Sequence, residues 1–312
     1  MADLASRISL TGPPPSAPED FLAGAFASLD PDDTPNIHGD AEHGILYTSP
    51  HLKAPLALDL AEPAGDDQRR LFSHYLWNAA LLLAELVEAG SLPLDAPASG
   101  ALTPHAGLTP GAFDVRGAAV IELGAGTALP SILAALVGAS RVVATDYPAP
   151  AIIDTLRENV ARNTTSDRCP PGREPTPRSA ISIEGHAWGD LASPFAAANK
   201  HAFDRVLAAD GLWMPWVHDA LRESISWFLG EGPAARAWVL AGFHTGRATM
   251  RGFFEPGAMA DAHLEVEAMW ERDVDGKERP WVAEKAHEEV GGEKRWLLIA
   301  VLRRPRSKVD AS

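Results

Sequence analysis

From residue 118 onward the chain alternates short, almost continuously apolar runs with amphipathic ones, and no other feature constrains its fold as strongly. AAVIEL (118–123), RVVATD (141–146), AISIEG (180–185), FDRVLAAD (203–210) and ARAWVLAGF (235–243) have the length and composition of buried strands. Between them, LPSILAALVGA, PAIIDTLRENVARN and HDALRESISWFLG read as helices. Pro130 falls in the first turn of the first helix and Gly138 at its end, while Ile152, Ile153, Leu156 and Val160 share one face of the second. Such alternation implies an α/β fold, with a parallel sheet covered by helices on both faces. Ligands in such sheets bind at the carboxyl ends of the strands. The closing stretches HLEVEAMWERD and KRWLLIAVLRR read as two more strands joined by a long charged loop.

The first third of the chain is less regular. Residues 1–18 are rich in Pro and Ser and are expected to be a disordered tail. Residues 19–70 form a cap segment in which GILYTSPHL and PLALDLAEP predict a short hairpin, and residues 71–312 make up the main domain. DDQRRLFSHYLWNAALLLAELVEAG predicts a helix, with Phe72, Leu76, Ala79, Leu83 and Leu86 on one face, Asp66 or Asp67 as cap and Gly90 as stop. The stretch 164–180 is long for a connection and reads as a flexible loop.

Charge narrows the partners. A net charge of −15 disfavours a nucleic-acid backbone or an anionic membrane surface. The sequence has no run of about 18 apolar residues and no apolar leader. Its single cysteine, Cys169, cannot form an internal disulfide, which fits a reducing compartment. A soluble cytoplasmic protein is expected. The eleven histidines show no metal-ligand spacing, so no metal is expected.

The chemistry concentrates where the first strand of the main domain ends, in Glu122-Leu123-Gly124-Ala125-Gly126-Thr127-Ala128. Gly124 and Gly126 permit a tight turn and close approach of a ligand. Asp146 ends the next strand, where an acid can accept hydrogen bonds from a ribose diol. A dinucleotide site spaces its glycines Gly-x-Gly-x-x-Gly, but the third position here is Leu129, followed by Pro130. Glu122 would also sit badly beside a pyrophosphate. A ligand with a cationic centre and no phosphate suits the turn better, and S-adenosylmethionine is such a ligand.

LWNAALLLAELV, VIELGAGTALPSILAALVGASRVVATDYP, LRENVARN, HAWGD and FDRVLAADGLW occur in the order seen in seven-strand S-adenosylmethionine-dependent methyltransferases. More narrowly, the chain resembles fungal nicotinamide N-methyltransferase-like proteins and the protein-lysine methyltransferases, over about residues 70–303. The branch that methylates the amino terminus of translation elongation factor 1-alpha belongs to the same group. The resemblance implies a Rossmann-like sheet of seven strands, mostly parallel, with an antiparallel strand at the C-terminus. It implies S-adenosyl-L-methionine as methyl donor and a protein lysine or terminal amine as acceptor. A small heteroaromatic amine, or a binding module that has lost turnover, are the alternatives. By the same resemblance Trp77 lines the donor pocket, Gly124, Ala125 and Gly126 pass under the methionine part, and Asp146 takes the ribose hydroxyls. Trp188 flanks the adenine and Ala209 closes the pocket. Glu122 completes the expected donor-side set. Ala128 stands where the family often has a third glycine.

On the acceptor side, Asp210 and Trp213 keep the Asp-x-x-aromatic spacing of the protein-lysine relatives, and His244 follows the fifth strand. These three are the expected catalytic residues, with Trp216 and His218 as further candidates nearby. Met214-Pro215-Trp216-Val217 replaces the polar run of the elongation-factor branch and makes the acceptor pocket more apolar. Trp238 and Trp296 fall inside strands and are expected in the core.

Overall fold

The computed structural model describes residues 4–12, 37–39, 43–62, 75–92, 111–284 and 293–305. Its N-terminal part contributes three short strands that form a small antiparallel sheet: β1 (Ile8–Leu10), β3 (Ile45–Tyr47) and β4 (Leu56–Leu58). The expected hairpin is its β3–β4 half, with Ile45 opposite Leu58 and Tyr47 opposite Leu56. β1 lies inside the stretch expected to be disordered. It is held there because Leu4 is buried and donates its backbone N–H to Val274 O at 3.0 Å. Residues 13–18 lie outside the described set. A separate two-residue ladder pairs β2 (Ile37–His38) with β5 (Leu76–Trp77).

Helix α1 spans Asn78–Ser91. It starts later than its periodicity predicts, because Leu76 and Trp77 are extended and paired with β2. Gly90 does not stop it: Ser91 is still helical, and its Oγ accepts from Val115 N at 3.1 Å. The expected cap at Asp66 or Asp67 falls outside the described residues.

The main sheet is built from β6 (Ala119–Leu123), β7 (Arg141–Asp146), β8 (Ile181–Gly185), β9 (Arg205–Ala209), β10 (Arg236–Gly242), β11 (Glu265–Asp273), β12 (Glu278–Pro280) and β13 (Trp296–Arg303). Their order is β12-β11-β13-β10-β9-β6-β7-β8. The five strands from β8 to β10 are parallel, and β13 enters antiparallel beside β10. The described sheet has eight strands rather than the expected seven. The extra one arises because the charged segment after β11 turns tightly: Asp273 Oδ1 accepts from Asp275 N and Lys277 N at 3.1 and 2.8 Å, and Gly276 takes a φ of +85°. That turn returns β12 antiparallel to β11.

Buried residues alternate across the sheet, as a layer covered on both faces requires. Val120, Val142 and Leu207 pack with α1, with α2 (Leu129–Val137) and with α3 (Pro150–Asn163). Ile121, Val143, Val206 and Ala208 pack with the opposite layer, where α4 (Pro194–Ala198), α5 (His218–Phe228), α6 (Arg247–Phe253) and α7 (Pro256–Asp261) lie. All nine residues of α2 are buried, because it is held between the sheet and α1. Each large side chain there contributes roughly 1.5–3 kcal/mol. The stretch 164–180 is pinned rather than flexible: Thr176 Oγ1 donates to Ala139 O at 2.6 Å and Arg173 Nη1 to Val137 O at 3.0 Å, so it caps the C-terminus of α2. Cys169 is buried within it.

Candidate active site

A cavity of ≈ 250 Å³ opens at the carboxyl ends of β6, β7, β8 and β9. The glycine turn at 124–127 forms one wall. Asp146 and Tyr147 adjoin it, His186, Ala187 and Trp188 follow from the end of β8, and residues 209–211 with Trp213, Met214, Trp216 and Val217 complete the rim. Tyr75, Leu76, Trp77 and Ala80 close the remaining side.

The glycine turn is shaped by backbone bonds. Gly124 N and Ala125 N both donate to Thr145 O at 2.9 Å, and Gly124 and Gly126 take φ values of +76° and +55°. Asp146 accepts from Gly126 N at 2.8 Å through Oδ2 and from Tyr147 N at 2.7 Å through Oδ1. Burial pushes this carboxyl up to about 6, against the opposing pull of those two bonds. Trp188 stands in a slot between two glycines. A Cβ on Gly124 would lie 2.9 Å from the ring, and one on Gly211 would lie 2.8 Å from it.

Glu122 is not in the cavity wall. It is buried behind the turn, where its Oε2 accepts from Ser131 N at 3.0 Å and Ser131 Oγ at 2.5 Å, satisfying donors at the start of α2. Burial raises its pKa to about 8. The Ser131 bonds oppose that shift, and the Asp146 charge adds to it. These bonds tie the start of α2 to the end of β6 behind the glycine turn. Ala128, the residue before α2, takes the left-handed conformation with a φ of 63°. A third glycine would take this conformation without the steric cost that Ala128 carries.

Asp210 also has a left-handed backbone, with a φ of 61°, which turns its side chain out of line with β9. Its Oδ1 accepts from Gly242 N at 2.8 Å, and its Oδ2 accepts from His244 Nε2 at 2.8 Å. Burial works against the His244 imidazolium, but the charge of Asp210 and its hydrogen bond win and hold the pKa above the ordinary value. His244 stands outside the cavity lining and reaches it through this bond. Its ring also meets Trp77 edge-on, with centroids 4.6 Å apart. Gly242 is needed for the arrangement, since a Cβ there would lie 2.7 Å from His244 Nε2.

A family model described as lysine methyltransferase matches residues 59–255. The chain belongs to the lysine methyltransferase family. The protein N-terminal and lysine N-methyltransferase of Schizosaccharomyces pombe is 31% identical over 213 residues, covering 64% of this chain and 71% of that protein. The protein of the same name from Gibberella zeae is 30% identical over 216 residues, with 65% and 70% covered. A Streptococcus mutans structure described as an S-adenosylmethionine-dependent methyltransferase shares the fold, with a TM-score of 0.51 and 10% identity. The alignment covers 91% of this chain and 65% of that one.

In this family member, the cavity brings together Trp77, Gly124, Ala125, Gly126, Asp146, Trp188, Ala209, Asp210 and Trp213 from the expected set. Trp77 arrives from the extended residue before α1, not from the helix face. Trp216 is 73% exposed at the rim, its ring perpendicular to Trp213 at 6.2 Å. His218 belongs elsewhere: it is buried, it lies 2.9 Å from Leu212 O through Nε2, and burial lowers its pKa. Trp238 is fully buried, whereas Trp296 is half-buried beneath Arg279. Tyr147 and His186 line the cavity without having been singled out in the sequence. Each directly follows the end of a parallel strand, and that position was the available signal. Among the described residues no group of three His, Cys, Asp or Glu could hold a metal ion.

Proposed function

We propose that this methyltransferase binds S-adenosylmethionine in the ≈ 250 Å³ cavity and methylates a lysine or terminal amine of a protein. The observation that carries this is the charge of the cavity. Among the described residues its lining holds two carboxylates, Asp146 and Asp210, with several aromatic rings and no Lys or Arg. Such a surface favours cations, both the donor's sulfonium and the acceptor's ammonium. The names of the relatives point to the same acceptor class. A cytoplasmic location accords with this function.

When bound, the donor supplies an electrophilic methyl group. Asp146 would accept its ribose hydroxyls through lone pairs left after the Gly126 and Tyr147 bonds. Trp188 would lie against the adenine, and the bare backbone at 124–126 would leave room for the methionine part. Asp210 would draw the acceptor ammonium in by charge, held in orientation by Gly242 N and His244. Trp213 and Trp216 would shed water from the amine, which favours the neutral, nucleophilic form.

Incubating the full chain with isotopically labelled methyl donor and a cell lysate tests the proposal. Mass spectrometry should find label on a protein amine. Label found only on a small molecule overturns the acceptor class, and no label with folded protein overturns the activity.

A further inference from the structure

The family model begins at residue 59, yet a segment well before it reaches the cavity wall. β2 pairs antiparallel with β5, setting Ile37 opposite Trp77 and His38 opposite Leu76. His38 is buried, and its Nε2 lies 2.6 Å from Asn78 Oδ1. An amide oxygen can only accept, so the imidazole donates from Nε2. Asn78 is the first residue of α1 and directly follows Leu76 and Trp77, both of which line the cavity. Trp77 is extended at this helix start, with no side-chain cap, and its ring rests edge-on against His244. His244 in turn bonds Asp210. One line of contacts therefore runs from His38 through Asn78 and Trp77 to the acid proposed to receive the amine.

A second tie has the same character. Asn159 on α3 accepts from Asp59 N at 2.8 Å and donates to Asp59 O at 2.9 Å and to Thr127 O at 3.3 Å. The chain just after β4 is thereby fastened to the glycine turn. The cavity is thus braced at two points, by residues 37–38 ahead of the family match and by Asp59 at its first residue.

We infer that the strand at residues 37–38 backs the wall of the donor cavity formed by Leu76 and Trp77, and that His38 is a positioning residue holding Trp77 against the donor. The inference rests on the cavity being the donor site, as proposed above. A two-residue ladder adds little to the stability of the whole fold. Its effect is local, on the aromatic residue it fixes.

The test uses the full chain with two substitutions, and S-adenosylhomocysteine as probe. His38→Leu fills the space but removes the donor, whereas His38→Gln keeps an N–H donor. Calorimetric titration well below the melting temperature should show His38→Leu binding about tenfold more weakly than wild type, with His38→Gln within about twofold. Equal affinity for wild type and His38→Leu overturns the inference alone. A wild-type chain that binds no S-adenosylhomocysteine overturns the donor-site proposal as well. Should His38→Leu fail to fold, amide hydrogen exchange on the wild-type chain decides. Slower exchange at 37–39 together with 75–77 on adding S-adenosylhomocysteine supports the wall, and unchanged exchange at 37–39 overturns it.

Discussion

Asp146 and Asp210 face one cavity from either side of the glycine turn, yet their surroundings differ. Asp146 accepts only from backbone N–H groups, and its neighbours at 124–126 are backbone held by Thr145 O. Asp210 accepts from one backbone group and one imidazole. Beyond it the rim is made of side chains, two of them tryptophans and one of those largely exposed. The first wall, which on the proposed function would meet the methyl donor, is built from the main chain. The second, which on the proposed function would meet the acceptor, is shaped by side chains instead.

Five substitutions break or sharpen that contrast. Asp146→Ala should have the largest effect. It strips the acceptor from the Gly126 and Tyr147 N–H groups and removes the carboxylate proposed to take the ribose hydroxyls, so S-adenosylhomocysteine affinity should fall by about a hundredfold or more by calorimetry. Retained affinity would remove the donor wall from consideration. Asp210→Asn should lower turnover roughly a hundredfold while donor affinity stays within about threefold. An equal loss in both measurements would mean that the two walls are not separable. Trp216→Ala should raise KM for a protein acceptor about tenfold, with donor affinity and Tm unchanged because the ring is 73% exposed.

Glu122→Gln probes what lies behind the donor wall. Because the folded pKa of about 8 stands above the ordinary 4.5, the wild-type carboxyl contributes full stability only below about pH 4.5. That contribution is lost as pH rises through about 8. The glutamine variant keeps an acceptor for Ser131 and should melt roughly 2–4 °C above wild type at pH 8.5. No such gain is expected at pH 5. Ala128→Gly should have the smallest effect, a stabilisation of about 0.5–1 kcal/mol in denaturant titration. Relief of the left-handed backbone should outweigh the lost methyl.

The glycine-turn wall of the cavity was legible in the sequence because its residues are constrained by backbone geometry. Gly124, Gly126 and Asp146 could be placed from strand ends alone, and α2 has the bounds that Pro130 and Gly138 announce. Trp77 and Glu122 were harder. Helical periodicity continues through Leu76, and only pairing with β2, distant in sequence, makes this stretch extended. Glu122 has the spacing of a ligand contact, but its strand-end position points it at the first turn of α2 instead. β12 was missed although Asp275-Gly276 is a hairpin signal, because the flanking segment is charged rather than alternating. The aromatic rim was visible as a cluster, but sequence could not separate exposed Trp216 from buried His218 two positions later.

Trp188 and its two flanking glycines carry a consequence for how this protein can diverge. Positions 124 and 211 lie far apart in the chain, yet neither can gain a side chain while the indole occupies the space between them. Substitutions at the three sites should therefore be energetically coupled. A side chain at either position requires a smaller residue at 188, and keeping the indole keeps both positions bare.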